Sequence, residues 1–202
     1  MAAALLGALA GPGRVEAGPE LGLRAGWAVP LGSVQAGEAL SRTFAGALPL
    51  QLDAGWRLSP ALSGGLYLQY APASLAGPFR ASFSSSSGSD LRLGAAARWR
   101  FEPWGGAVPW AGAGAGWEWA LFSVRASARG TLRLSGPDLH LEGGAEWALP
   151  DRRFALGPFL QAAGGQYLSV GAEGAGDRST LSIRRRALHG WVALGARGTF
   201  GL

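Results

Sequence analysis

The strongest signal along the chain is an alternation of apolar and small or charged positions with a period of two. In Glu20 to Val29, the side chains Leu21, Leu23, Ala25, Trp27 and Val29 fall on one face and Gly22, Arg24, Gly26 and Ala28 on the other. From Ala47 to Leu58 the apolar face is Leu48, Leu50, Leu52, Ala54, Trp56 and Leu58, opposite Gln51, Asp53, Gly55 and Arg57. Asp90 to Glu102 sets Leu91, Leu93, Ala95, Ala97, Trp99 and Phe101 against Arg92, Gly94, Ala96, Arg98, Arg100 and Glu102. Successive side chains of a strand point to opposite faces, so each segment reads as a strand with one greasy side. Leu62 to Tyr70, Val108 to Leu121, Leu139 to Leu149 and Leu188 to Leu202 follow the same rule. Phe154 to Val170 carries large residues on both faces and leaves its facing open. The count is eight strands.

A membrane-spanning helix is excluded by the same reading, because it needs about 20 consecutive apolar residues. Leu58 to Phe79 is broken by Pro60, Pro72, Pro78 and Gly64-Gly65, and Phe154 to Ala172 by Pro158, Gly164-Gly165, Gln161 and Gln166. A soluble barrel turns its apolar face inward and its charges outward. Here the apolar face carries almost no charge, and the other face combines Arg and Glu with many Gly. That is the inverted sense of a barrel in lipid, with charges in the lumen.

The connections support this assignment. Short turns are expected near Ser59-Pro60, Pro103 to Ala107 and Pro150 to Arg152. Long links are expected over Leu31 to Ala45, Ala71 to Ser89, Phe122 to Pro137 and Gly171 to Ala187. Outer-membrane barrels alternate short periplasmic turns with longer external loops, which places both termini on the periplasmic side. The second long link, with Ser84 to Ser87 and Gly88, reads as low-complexity and mobile. Leu52-x3-Trp56-x3-Pro60 recurs as Ala95-x3-Trp99-x3-Pro103 and more loosely as Trp147-x2-Pro150. Trp56, Trp99 and Trp147 are therefore expected in one interfacial girdle, with Trp117 and Trp119 near the opposite one. Leu194, Ala196, Phe200 and Leu202 alternate to the last residue, like the C-terminal signal of outer-membrane proteins, though ending in Leu.

Across roughly Gly18 to Leu202 the pattern resembles the small OmpA/OmpX-like outer-membrane barrels. The resemblance lies in architecture, and it implies an all-β, eight-stranded antiparallel up-and-down transmembrane β-barrel over 18–202. Residues 1–17 are expected to be a signal-peptide remnant or a disordered N-terminus. Ala2 to Ala10 has the length of a signal-peptide apolar region, and Ala8-Leu9-Ala10 resembles a cleavage site, without a charged leader before it.

Composition adds a few limits. With 48% hydrophobic and 15% charged residues, 34 Gly and nine Trp, the 202-residue chain fits neither a disordered tail nor a soluble helical domain. All 18 basic residues are Arg, a coding bias rather than a functional clue. The net charge of +5 raises nucleic acid as a partner, but the arginines are scattered and no nucleic-acid motif accompanies them, so none is expected. The absence of Cys excludes disulfides and Cys-based metal sites.

An eight-stranded barrel is just wide enough for its own side chains to fill. The expected inward set is Arg24, Asp53, Arg57, Arg92, Arg98, Arg100, Glu102, Glu118, His140, Glu142, Glu146 and Arg197. Unpaired buried charges are costly, so these should pair into a salt-bridged plug. The expected function is a structural or surface-interaction role, with a narrow, Arg-lined small-solute channel as the alternative. A third reading, a lipid-modifying enzyme, rests on His140, Glu142 and nearby Ser135, and no catalytic signature supports it. Gly112 to Gly116 is not a phosphate loop, because it sits mid-strand without a following helix or Lys. No cofactor, catalytic or metal site is expected. Arg184, Arg185 and Arg186, and Arg125, Arg129 and Arg133 in or beside the third long link, are candidates for contact with lipopolysaccharide phosphates. The expected partners are membrane lipid and the outer-membrane assembly machinery, with the barrel a monomer.

Overall fold

The computed structural model describes residues 17–35, 37–77, 85–125, 129–150, 153–174, 177–183 and 185–201. Its strands are β1 (Gly18–Gln35), β2 (Glu38–Ala39), β3 (Phe44–Ala47), β4 (Leu50–Arg57), β5 (Leu62–Leu75), β6 (Ser85–Arg100), β7 (Ala107–Arg125), β8 (Arg129–Ala148), β9 (Phe154–Gly165), β10 (Ser169–Gly174), β11 (Asp177–Ser182) and β12 (His189–Gly201). A 3₁₀ turn over Leu40–Arg42 lies between β2 and β3. Every pairing is antiparallel, and the ring closes: β1 pairs with β12, β12 with β9, and β9 with β8. From β8 the ladder returns through β7, β6 and β5 to β4 and β3, which pair with β1. β3 with β4, and β9 with β10, each form one broken stave. The result is an eight-staved barrel, which leaves most backbone N–H and C=O groups paired without any contribution from solvent.

The ends of the barrel differ. At the turn end, Leu58 and Ser59 close on the Leu62 carbonyl, and Trp104 and Ala107 exchange hydrogen bonds of 2.8 and 3.0 Å. Between the latter pair stand Gly105 and Gly106, with φ of 58° and 82°. Two consecutive left-handed residues are what a tight two-residue hairpin loop requires, and glycine supplies them at least cost. At the opposite, hairpin end the strands run on past the apolar band.

Several expected links are therefore shorter than the sequence suggested. β7 and β8 stay paired until Arg125 faces Arg129, so Phe122 to Pro137 is a hairpin extension. Ser85 to Ser87, expected in a mobile link, stand in β6 opposite Arg125, Val124 and Ser123. The reason is the neighbouring strand: once β7 continues outward, its free edge satisfies the serine backbone. Ser84, Asp151-Arg152 of the third turn, the terminal Leu202 and all but the last residue of the stretch 1–17, expected as a signal-peptide remnant or disordered N-terminus, lie outside the described residues.

The facing is inverted relative to a soluble protein. Leu23 is 66% exposed, Leu141 68% and Leu194 63%, whereas Arg197 is 1% exposed and Glu118 1%. β9, whose facing the sequence left open, turns Gly157, Phe159, Gln161 and Ala163 inward and Leu156 and Leu160 outward. Trp56, Trp99 and Trp147 all face outward beside the turn end, and Trp104 at the tip of one turn is also exposed. Trp117 and Trp119 face outward further along β7.

Glycine shapes the interior. A Cβ at Gly94 would stand 2.7 Å from the Tyr67 hydroxyl and 2.7 Å from the Gly116 Cα. Gly94→Ala is therefore expected to destabilise the barrel by about 1–3 kcal/mol through overpacking. Urea unfolding, followed by the gel-mobility difference between unheated and boiled samples, would read this as a lower midpoint; an unchanged midpoint would contradict the tight interior described.

Candidate functional site

The inward side chains form a ladder of ion pairs. Nearest the turn end, Glu20 of β1 accepts from Arg57 at 2.8 Å and Arg100 at 2.5 Å, and lies 3.5 Å from Arg197. Arg197 also pairs with Glu146, whose second oxygen accepts from Thr199 at 3.1 Å. The Arg197 guanidinium lies over the Trp110 ring, 4.9 Å from its centroid.

At mid-height, two carboxylates and two arginines alternate. Asp53 accepts from Arg24 at 3.0 Å and from Arg98 at 2.9 Å. Glu142 accepts from Arg98 at 2.7 Å and pairs with Arg24. Gln51 donates to Asp53 at 2.7 Å. These residues come from β1, β4, β6 and β8, so the square ties distant staves across the lumen. Each fork meets two acceptors, the arrangement that best offsets the desolvation of a buried guanidinium.

Higher still, Arg92 pairs with Asp90 at 2.8 Å and Glu118 at 3.3 Å. Glu118 also accepts from the Tyr167 hydroxyl at 2.9 Å and meets His189 at 2.7 Å. The Tyr167 and His189 rings stack 3.8 Å apart, and the Tyr67 ring meets His140 edge-on at 5.0 Å. Above this layer the interior becomes apolar. Leu40, from the 3₁₀ turn, and Phe44, the first residue of β3, are fully buried with Phe122, Ile183 and Trp191. Phe44 stands 4.8 Å from Phe122 and 5.4 Å from Trp191.

The glycines of β7 make room for these groups. A Cβ at Gly112 would stand 3.0 Å from both Arg98 and Glu142, one at Gly114 2.6 Å from His140 Nε2, and one at Gly116 3.1 Å from Asp138. The bare strand is thus a floor on which neighbouring side chains lie.

Eleven of the twelve residues expected in the lumen are inward and close together: Arg24, Asp53, Arg57, Arg92, Arg98, Arg100, Glu118, His140, Glu142, Glu146 and Arg197. Glu102 is a correction. It lies beyond the end of β6 in the turn and is exposed, because the alternation that implied its facing stops where the strand stops. Glu20, Asp90, Asp138 and His189 belong to the interior but were missing from the expected set. Each shares the inward parity of its strand: Glu20, Asp90 and His189 lie inside the expected strands, and Asp138 lies one residue before Leu139 to Leu149. Tyr167 sits at the break between β9 and β10, and Leu40 and Phe44 in a link, where no periodicity reports. His140 Nε2 lies 3.8 Å from Glu142, but Ser135 sits on the opposite, outward parity of β8, its hydroxyl 2.8 Å from that of Ser169. Ser135 and His140 therefore do not meet. Arg185 and Arg186 are exposed at the hairpin end, and Arg184 lies outside the described residues.

With lipid-compatible side chains outside and ion pairs inside, the chain can be compared with solved structures. It superposes on Neisserial surface protein A with a TM-score of 0.53, at 16% identity, over 88% of this chain and 95% of that one. A major outer membrane protein from Thermus thermophilus gives 0.54 at 15% identity, over 90% and 99%. The fold is that of the small outer-membrane β-barrels. The outer membrane protein OprG from Pseudomonas aeruginosa gives 0.53 at 12% identity, over 92% and 97%. No protein-family model and no curated protein sequence matches the chain. Identities this low carry the barrel fold and nothing of the neighbours' individual roles.

Removing one member of the mid-height square should be severe. Glu142→Leu would leave Arg24 and Arg98 short of an acceptor and is expected to cost about 3–5 kcal/mol. Glu102→Gln, in the exposed turn, should change stability by less than about 0.5 kcal/mol. Urea unfolding of both variants in the same detergent checks the contrast, and equal effects would show that the lumen charges are not coupled.

Proposed function

We propose that the chain is an integral protein of the bacterial outer membrane whose closed barrel serves a structural or surface-interaction role. The observation that carries this reading is the filled cross-section. Three layers of ion pairs and an apolar cap succeed one another along the lumen, and the belt around them is apolar with aromatic edges. On this reading the turn end faces the periplasm and the hairpin end faces the exterior.

The role then falls to the hairpin end. There, exposed or half-exposed side chains include Arg42, Arg133, Arg185 and Arg186 against Glu38 and Glu173. Among the described residues this surplus of guanidinium groups favours phosphate-bearing partners such as lipopolysaccharide, with Arg185 and Arg186 among the contacts. Membrane lipid surrounds the belt, the outer-membrane assembly machinery inserts the chain, and the barrel acts as a monomer without enzymatic activity. Nucleic acid has no part in this reading.

Conductance tests it against the small-solute channel. In a planar bilayer the protein is expected to give no discrete steps, because the Arg24–Asp53–Arg98–Glu142 square ties four strands together across the lumen with buried ion pairs that a permeating ion would have to break. Regular single-channel steps abolished by Arg98→Gln would replace the closed barrel with a conducting one.

A further inference from the structure

The outward face of the hairpin end carries a second, more specific arrangement. Along β8 that face reads Leu141, Leu139, Pro137, Ser135, Arg133 and Thr131, passing from apolar to hydroxyl to cation. On β7 the neighbouring face ends its aromatic stretch at Trp117 and Trp119. The exposed Arg133 guanidinium lies over the Trp119 ring, 5.8 Å from its centroid. That contact fixes the cation at the upper border of the apolar belt.

The next two strands leave a gap beside it. In register, Leu121 stands opposite Arg133, Arg133 opposite Gly171, and Gly171 opposite Thr180. Gly171 has no side chain to fill this row. A Cβ there would find nothing nearer than 3.8 Å, the Arg133 carbonyl, with the Thr180 hydroxyl at 3.9 Å. One pair closer to the belt, Ser135 and Ser169 present joined hydroxyls at 2.8 Å. The nearest acid on this face, Glu173, lies one pair further out, opposite Arg178. Three successive strands thus carry an arginine, a bare glycine and a hydroxyl in one row, and a guanidinium turned from the Trp119 ring toward Gly171 would face the Thr180 hydroxyl across a space that suits a phosphoryl group.

We propose that Arg133, Gly171 and Thr180 form a seat for the phosphomonoester headgroup of an outer-leaflet glycolipid, the Arg133 guanidinium turning from the Trp119 ring onto the phosphate. This deepens the surface-lipid reading above and rests on it, but places the contact on the belt's edge rather than at Arg185 and Arg186. The lipid's acyl chains would lie along the apolar face of β7 and β8 below, which distinguishes this seat from a site for a free anion.

Native mass spectrometry of the detergent-solubilised barrel tests the proposal, with a bis-phosphorylated glucosamine-disaccharide lipid and its dephosphorylated counterpart as probes. The phosphorylated lipid is expected to bind about tenfold more tightly, the scale of one charge-assisted contact. Arg133→Gln and Gly171→Val should each remove that preference, Thr180→Val should reduce it, and Arg186→Gln should leave it intact. Heat-modifiable gel mobility confirms that each variant is folded. Inorganic phosphate at matched concentration should not displace the lipid. Retained preference in both Arg133→Gln and Gly171→Val would overturn the seat, as would displacement by inorganic phosphate. If only Arg186→Gln lost the preference, the seat would fall while the surface-lipid reading stood. If wild-type protein failed to distinguish the two lipids, both would fall.

Discussion

The rest of the structure depends on pairing buried arginines with carboxylates inside a narrow cylinder. Arg24 and Arg98 each reach both Asp53 and Glu142, so no single hydrogen bond holds the square. A charge left alone in that environment would cost several kcal/mol, more than a turn or a cap contributes. The pairing therefore constrains register: a one-residue slip in any of β1, β4, β6 or β8 would carry its charged side chain to the lipid face. Ionic contacts that are weak evidence for stability in a soluble core act here as markers that hold the staves in one alignment.

That constraint explains the glycines. Long guanidinium and carboxylate side chains need room inside the barrel, and the strand beside them has to be bare where they lie. Gly112, Gly114 and Gly116 on β7 lie beneath Arg98, Glu142, His140 and Asp138. What composition alone presents as low complexity is a mould for neighbouring strands. The same economy appears outside the barrel, where Gly171 leaves a gap between Arg133 and Thr180.

Much of this was legible in the sequence because a strand reports its facing at every second residue. The outward Leu and Trp positions, the inward arginines and the closing strand all follow from period two. Legibility failed where periodicity stops. Glu102 was placed by extending a strand past its end, and Tyr167 lies at a break in one. Leu40 and Phe44 fall in the stretch expected as a link, and Phe44, which opens β3, is placed by tertiary contacts with Phe122 and Trp191 that no local pattern encodes. The length of the outer hairpins was likewise hidden, since continued pairing of β6 with β7 depends on a neighbour rather than on the serines themselves.

Inverted facing is the feature on which the ion-pair ladder and the lipid belt both rest. β8 offers its most direct test, because the chain has no native Cys to interfere. Single cysteines placed successively from Leu139 to Trp147 can each carry a nitroxide, and oxygen accessibility in proteoliposomes reports contact with the lipid interior. Maxima are expected at Leu139, Leu141 and Trp147 and minima at His140, Glu142 and Glu146. Maxima at the charged positions, or no oscillation along the strand, would contradict the inverted barrel.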